Sequence, residues 1–173
     1  TILLIIGGGF EGILRAKGIK PVDLFQRGLT ATVPDNWTGW AMRPNNKSSE
    51  YSLTNDYGMH EDRDVALQKS AGVKRIAVVG SSVVWGLGEY LQNTIPRAAQ
   101  TELQKRNCAA EVLNVGVHGI NIVNASALVQ TKLHQFHPDA IVIIMDLQMA
   151  FPVWPSPAPL SDAPVTPVRQ PGL

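Results

Sequence analysis

Lys74-Arg75-Ile76-Ala77-Val78-Val79-Gly80-Ser81-Ser82 is the stretch on which the fold turns. Two charged residues lead into four apolar ones, and the run stops at a glycine. A short, unbroken, β-branched run of this kind predicts a strand buried on both faces, as in a parallel sheet. Working outward, similar signals recur. Thr94 to Asn107 predicts a helix: Thr94 can cap it, Pro96 sits near its first turn, and Ile95, Ala98, Ala99 and Leu103 fall on one side. Glu111 to Val115 predicts a second strand, closed by Gly116. Asn121 to Gln135 predicts a second helix, capped by Asn121, with Ile122, Ala125, Val129 and Leu133 as its apolar stripe and Pro138 beyond its end. Ala140 to Met145 predicts a third buried strand. The order β-α-β-α-β implies an α/β domain with parallel strands and right-handed crossovers.

That topology places the chemistry. Ligands of an open parallel sheet bind beyond the carboxyl ends of its strands. Those ends are Gly80-Ser81-Ser82, Val115-Gly116-Val117-His118-Gly119 and Asp146-Leu147-Gln148. A serine just past a buried strand, next to glycine, can expose its hydroxyl and offer its N–H to a developing oxyanion. The same residues also make an ordinary serine-rich turn. Gly119 can offer a second N–H, because glycine lets a substrate approach the backbone closely. Asn114 can pin that loop. Gly116 and Gly119 also suit a tight turn with no ligand.

Composition narrows the classes. The chain has 173 residues, long enough for one domain with a real core, and 45% hydrophobic against 17% charged residues argues against wholesale disorder. Fifteen basic and 14 acidic residues nearly cancel, without a basic run, so a nucleic-acid partner has no electrostatic footprint. Cys108 is the single cysteine, which excludes an internal disulfide framework and a multi-cysteine metal site. There is no Gly-Lys-Ser/Thr phosphate loop. Gly7-x-Gly9-x-x-Gly12 matches a dinucleotide fingerprint only weakly, because no convincing helix or acidic partner follows. No cofactor and no metal are expected.

Four stretches organise the chain. Residues 1–19 begin Thr1-Ile2-Leu3-Leu4-Ile5-Ile6 and read either as the end of a membrane anchor or as a short strand; a full span needs about 20 apolar residues. The anchor reading, with charge just past the apolar run, implies a membrane-associated or exported protein. Residues 20–70 mix aromatics with turn formers and read as an irregular β and loop region, their aromatics as core or cover. Residues 71–150 hold the α/β domain. Residues 151–173 carry seven prolines and read as a linker, a loop or a disordered end.

The ordered set of strand, Gly-x-Ser, helix, strand, Asn-x-Gly-x-x-Gly, helix and Pro-Asp-apolar strand resembles the SGNH (GDSL-like) hydrolase family. The resemblance covers roughly Asn55 to Met149. It implies a three-layer, flavodoxin-like α/β/α fold, here partial, and a serine esterase acting on a small-molecule or glycan acyl ester. Arg75 to Gly88 is similar to the family's first block, with Ser82 as nucleophile. Asn114 to Gly119 is similar to the second, with Gly119 as oxyanion glycine. His137-Pro138-Asp139 leads into the third, where Gln148 takes the place of an oxyanion asparagine. Asn55-Asp56-Tyr57-Gly58-Met59-His60 resembles an Asn-x-x-Gly-phi-Arg segment of membrane-anchored or exported members. Ser81, Trp85, Asn114, His118 and Asp146 are then the expected substrate contacts.

The departures carry weight too. Ser81 stands where the family has aspartate. Gln148 is one methylene longer than asparagine, and a misplacement of about an ångström costs on the order of 10²-fold. Asp146 brings a carboxylate towards a forming oxyanion, the wrong sign. The family's Asp-x-x-His block does not occur in the sequence. His134 and His137 precede the third strand and belong at the opposite edge from Ser82. His118 lies on the serine's rim and suits a substrate contact better than a general-base role. The expectation is a chain with little or no hydrolysis of its own. The alternative is a non-catalytic binding or interaction module on the same fold, and a third reading is an unrelated α/β domain.

Overall fold

The computed structural model describes residues 32–47 and 51–150, with Ala16 besides, and gives Gln148 by its backbone only. All that follows concerns the compact unit that begins at Thr32. The expectations for residues 1–19 and for the proline-rich residues 151–173 fall outside the described residues.

Three parallel strands form the centre: β3 (Lys74–Gly80), β4 (Ala110–Gly116) and β5 (Ala140–Ile144), in the order β4-β3-β5. β3 is therefore the middle strand. Ala77, Val78 and Val79 are all buried, so both of its faces are covered as the unbroken apolar run requires. On one face Val78, Val84 and Val112 make a small core, with Ile76, Ala99, Leu103 and Ile144 packed around it.

The helices are α1 (Ser82–Trp85), α2 (Ile95–Lys105), α3 (Ile122–Thr131) and α4 (Leu147–Ala150), with 3-10 turns at Leu91–Asn93 and Leu133–Phe136. α2 starts after Thr94, as expected. The Thr94 hydroxyl, however, donates back to the Leu91 carbonyl at 2.8 Å instead of capping the helix. Its inward side also differs from the expected stripe. Pro96 is buried and Ala99, Gln100 and Leu103 half-buried, while Ile95 and Ala98 face solvent. The reason is Gln100, which must point at the sheet: its Nε2 donates to the Ala110 carbonyl at 2.9 Å and its Oε1 accepts from the Val112 N–H at 2.7 Å.

Asn121 does cap α3, accepting from the Asn124 N–H at 2.9 Å. The helix ends at Thr131, earlier than the expected Gln135, and Leu133–Phe136 tightens to 3-10. His137, with φ of 48°, then turns the chain before Pro138, whose ring disfavours helix at the preceding residue.

β5 corrects a further expectation. It is apolar but not buried: Ile141, Val142 and Ile143 are 40%, 44% and 43% exposed. It pairs with β3 on one side only; Ile144 packs against the small core, while Ile141, Val142 and Ile143 stay exposed. The outer edge of β4 is handled differently. Gln100 takes up Ala110 and Val112, and the His60-Glu61 segment takes up Asn114. Side chains thus occupy backbone groups that would otherwise invite another strand.

Within residues 20–70, β1 (Thr32–Asp35) and β2 (Gly39–Met42) form an antiparallel hairpin. Its turn is set by Asp35, whose Oδ1 accepts from the N–H groups of Trp37 and Thr38 and from the Thr38 hydroxyl. Trp40 Nε1 donates to the His118 carbonyl at 2.7 Å, and Asn124 Nδ2 to the Thr38 carbonyl at 2.8 Å. The hairpin is thereby fixed against the loop after β4. At the amino edge of the sheet, buried Arg75 donates to Glu111 at 2.6 Å and to the carbonyls of Leu67 and Phe136.

Among the described residues no helix is long and apolar enough to cross a membrane.

Candidate active site

β3 and β4 run in register, with Gly80 opposite Gly116, and the Val117 N–H donates to the Gly80 carbonyl at 2.9 Å. The loops that carry Ser82 and Gly119 therefore leave from adjacent strand ends. Ser82 opens α1 directly after β3. Ser81 is the N-cap, its Oγ accepting from the Val83 N–H at 3.3 Å, and Gly86, with φ of 84°, ends the turn. The first N–H of a helix has no acceptor within it, which leaves that of Ser82 available.

Glycine at two positions lets α1 sit on the strand ends. A Cβ at Gly80 would stand 2.3 Å from Val84 Cγ2, and one at Gly116 would stand 2.3 Å from the Trp85 nitrogen. Both are closer than any side chain tolerates. Ser82 and Gly119 are each half-buried, and Gly119 has φ of 70°, a left-handed conformation that glycine adopts without strain.

The Ser81 hydroxyl donates to Asp146 Oδ2, and Asp146 Oδ1 accepts from the Met149 N–H at 2.9 Å. The carboxylate is thus engaged by a hydroxyl and by the first turn of α4. This contact joins the ends of β3 and β5. Gln148 lies within α4.

Three of the expected substrate contacts, Ser81, Trp85 and Asn114, are buried and engaged within the fold. Ser81 is fully buried with its hydroxyl engaged. Trp85 is fully buried, stacked on His60 (centroids 4.4 Å apart, planes 13° apart) and flanked by His118 at 5.1 Å. Its indole has no face left for a substrate, because a residue at the end of α1 must pack down onto the strand ends. Asn114 is buried as well and makes hydrogen bonds through each of its polar groups. Its N–H donates to Glu61 Oε1 at 3.1 Å, and its carbonyl accepts from the His60 N–H at 3.3 Å. Its Nδ2 donates to the Trp85 carbonyl at 3.3 Å, and its Oδ1 accepts from the Gly116 N–H at 3.1 Å. The expectation that it pins the loop holds, and it ties α1 to that loop as well.

Sequence reasoning left His60 unplaced and did not single out Glu61. His60 is buried, and its Nδ1 lies 2.6 Å from the Trp85 carbonyl. A carbonyl only accepts, so Nδ1 carries the proton and Nε2 does not. Burial lowers its pKa, and the ring is neutral. It engages the carbonyl of Trp85 at the carboxyl end of α1, so His60 positions the turn. Burial raises the pKa of Glu61, opposed by the Asn114 N–H and by Arg63 and Arg97. The only advance signal for these residues was the Asn-x-x-Gly segment just before them.

His118 is half-buried on the same rim as Ser82. Burial, with His60 adding to it, pushes its pKa down to about 4. At pH 7 it is a neutral imidazole and a weak base, since its pKa lies far below the operating pH. His134 and His137 are exposed in the turn before β5, at the opposite edge. The arrangement thus supplies a hydroxyl, backbone N–H donors and a neutral imidazole on one rim.

No protein-family model matches the chain, and no curated protein matches it.

Proposed function

We propose that residues 71–150 are part of a serine ester hydrolase domain of the SGNH type, which carries the nucleophile and the oxyanion donors and, as this chain, hydrolyses esters slowly or not at all unless a base is supplied. The supporting observation is the β3–β4 register, which starts the Ser82 turn and the Gly119 loop from neighbouring strand ends. In this reading the crossovers on the two sides of β3 are both right-handed, and α2 and α3 then lie on opposite faces in an α/β/α arrangement, with which the strand order β4-β3-β5 is compatible. In this reading the Ser82 hydroxyl attacks the acyl carbonyl. The N–H groups of Ser82 and Gly119 receive the oxyanion, with the amide of Gln148 as a third donor. The serine proton must pass to a base, and no Asp-x-x-His occurs in the sequence. The substrate is an acyl ester of a small molecule or a glycan.

Asp146 favours a second reading, a binding module that keeps the fold without the chemistry, because its carboxylate sits beside the serine pair. Hydrolysis of p-nitrophenyl acetate with increasing added imidazole separates the two. Imidazole supplies the missing base, so the rate of the wild type should rise above that of Ser82→Ala. Equal rates at every imidazole concentration would contradict the nucleophile and leave the binding module.

A further inference from the structure

A cavity of about 190 Å³ lies between the β1–β2 hairpin, the turn at residues 55–59 and α3 with the 3-10 turn that follows it, over the end of β4. Met42, Met59, Leu128, Leu133 and Phe136 line it, and all five are buried. Tyr57 stands edge-on to Phe136 in its wall, with ring centroids 4.8 Å apart and planes at 90°. Three polar side chains complete the lining: Asp56, which is exposed, and Lys132 and Gln135, which are half-buried. The cavity thus has a dry interior and a polar mouth.

The interior selects the body of a ligand. A sugar or a nucleobase would lose its hydrogen bonds to water against five apolar side chains. An apolar cavity of about 150 Å³ takes up benzene, so one aromatic ring suits this volume. Thioethers such as those of Met42 and Met59 also pack favourably on such rings. The mouth selects the charge. Lys132 donates to Asp35, whose other oxygen holds the hairpin turn, so its charge is already neutralised. The carboxylate of Asp56 has no partner among the described residues. An anion would meet that carboxylate and find no free cation. An ammonium finds Asp56, with the amide oxygen of Gln135 as a second acceptor.

We propose that this cavity binds a small aromatic amine, its ring among Met42, Met59 and Leu128 and its ammonium at Asp56. The site makes no use of Ser82, so its outcome is independent of ester hydrolysis. The four methionines give the readout, because Met42 and Met59 line the cavity and Met145 and Met149 do not. In NMR of the full chain with labelled methionine methyls, 2-phenylethylamine should shift the Met42 and Met59 signals with a Kd of about 1 mM or tighter and leave the other two unmoved. 3-Phenylpropionate, which carries the same ring on a carboxylate, should bind about tenfold more weakly or not at all. Asp56→Asn, an exposed change that leaves the apolar walls untouched, should weaken the amine about threefold or more and spare the neutral 2-phenylethanol. The proposal is overturned if the amine leaves Met42 and Met59 still, if the carboxylate binds as tightly as the amine, or if Asp56→Asn weakens the amine no more than the alcohol.

Discussion

Asn114 connects the Ser82 turn to the end of β4 through two buried side-chain hydrogen bonds, and its backbone makes two more to the His60-Glu61 segment. Asn114→Leu keeps the backbone bonds to Glu61 and His60 but leaves the Gly116 N–H without its acceptor and the Trp85 carbonyl with His60 alone, and a buried orphan costs about 1–3 kcal/mol. Urea unfolding of this variant should show a loss of about 1–3 kcal/mol; a loss below about 0.5 kcal/mol would contradict the hub. Gly116→Ala tests the close approach of α1, because its methyl would meet the Trp85 backbone. A destabilisation of about 1–3 kcal/mol is expected by the same measurement. At this scale the sequence revealed what was local. Asn114 precedes Gly116 by two residues, and a side chain bonding forward over two residues is a short-range pattern. Its partners His60 and Glu61 lie more than 50 residues upstream, where no periodicity points to them. The hydroxyl of Ser81 was legible as a polar group but not as the partner of Asp146, because that pairing depends on β5 lying next to β3.

The three strands and the two longer helices between Lys74 and Ile144 were legible because their apolar runs match the period and most end on Gly, Asn or Pro, whereas the short α1 and the two 3-10 turns carry no such run. Burial was less so. The run from Ala140 to Ile144 reads like that of β3, yet one strand has neighbours on both sides and the other on one. Apolar composition alone does not distinguish them. Thr in place of valine makes the difference measurable, since a buried hydroxyl without a partner costs about 1–3 kcal/mol. Val78→Thr should therefore lower the urea midpoint clearly. Val142→Thr should stay within about 0.5 kcal/mol of the wild type. Equal losses at the two positions would mean that β5 is as covered as β3. The inward side of α2 was misread for a related reason. A polar residue, Gln100, faces the sheet because the β4 edge needs hydrogen bonds, and an apolar stripe cannot express that need.

For the molecule as a whole, pH reports on the packing around Trp85. His60 and His118 are held neutral, chiefly by burial, with pKa values below the ordinary histidine value of 6.5 and about 4 for His118. The unfolded chain therefore binds more protons than the folded one between those limits. Stability is full above about pH 6.5 and declines as the pH falls towards 4, by on the order of 2 kcal/mol from His118. Glu61 acts in the opposite sense, since burial raises its pKa and acid favours its folded form. Thermal melts across this window should show the decline in the wild type and a smaller one in His118→Gln. A flat profile would mean that the imidazoles are solvated. Chain organisation followed from the alternation of strands and helices, whereas the hairpin at Thr32–Met42 did not, because its seat depends on single contacts such as Trp40 to His118. The central claim is that Ser82 and Gly119 present their N–H groups to one point. Methaneboronic acid, which adds to a serine hydroxyl and carries an anionic oxygen, tests it by NMR on the ¹⁵N-labelled chain. The Ser82 and Gly119 amide signals should shift together along one saturation curve and stay still in Ser82→Ala; signals that do not move, or a Gly119 shift that persists without the hydroxyl, would contradict the account.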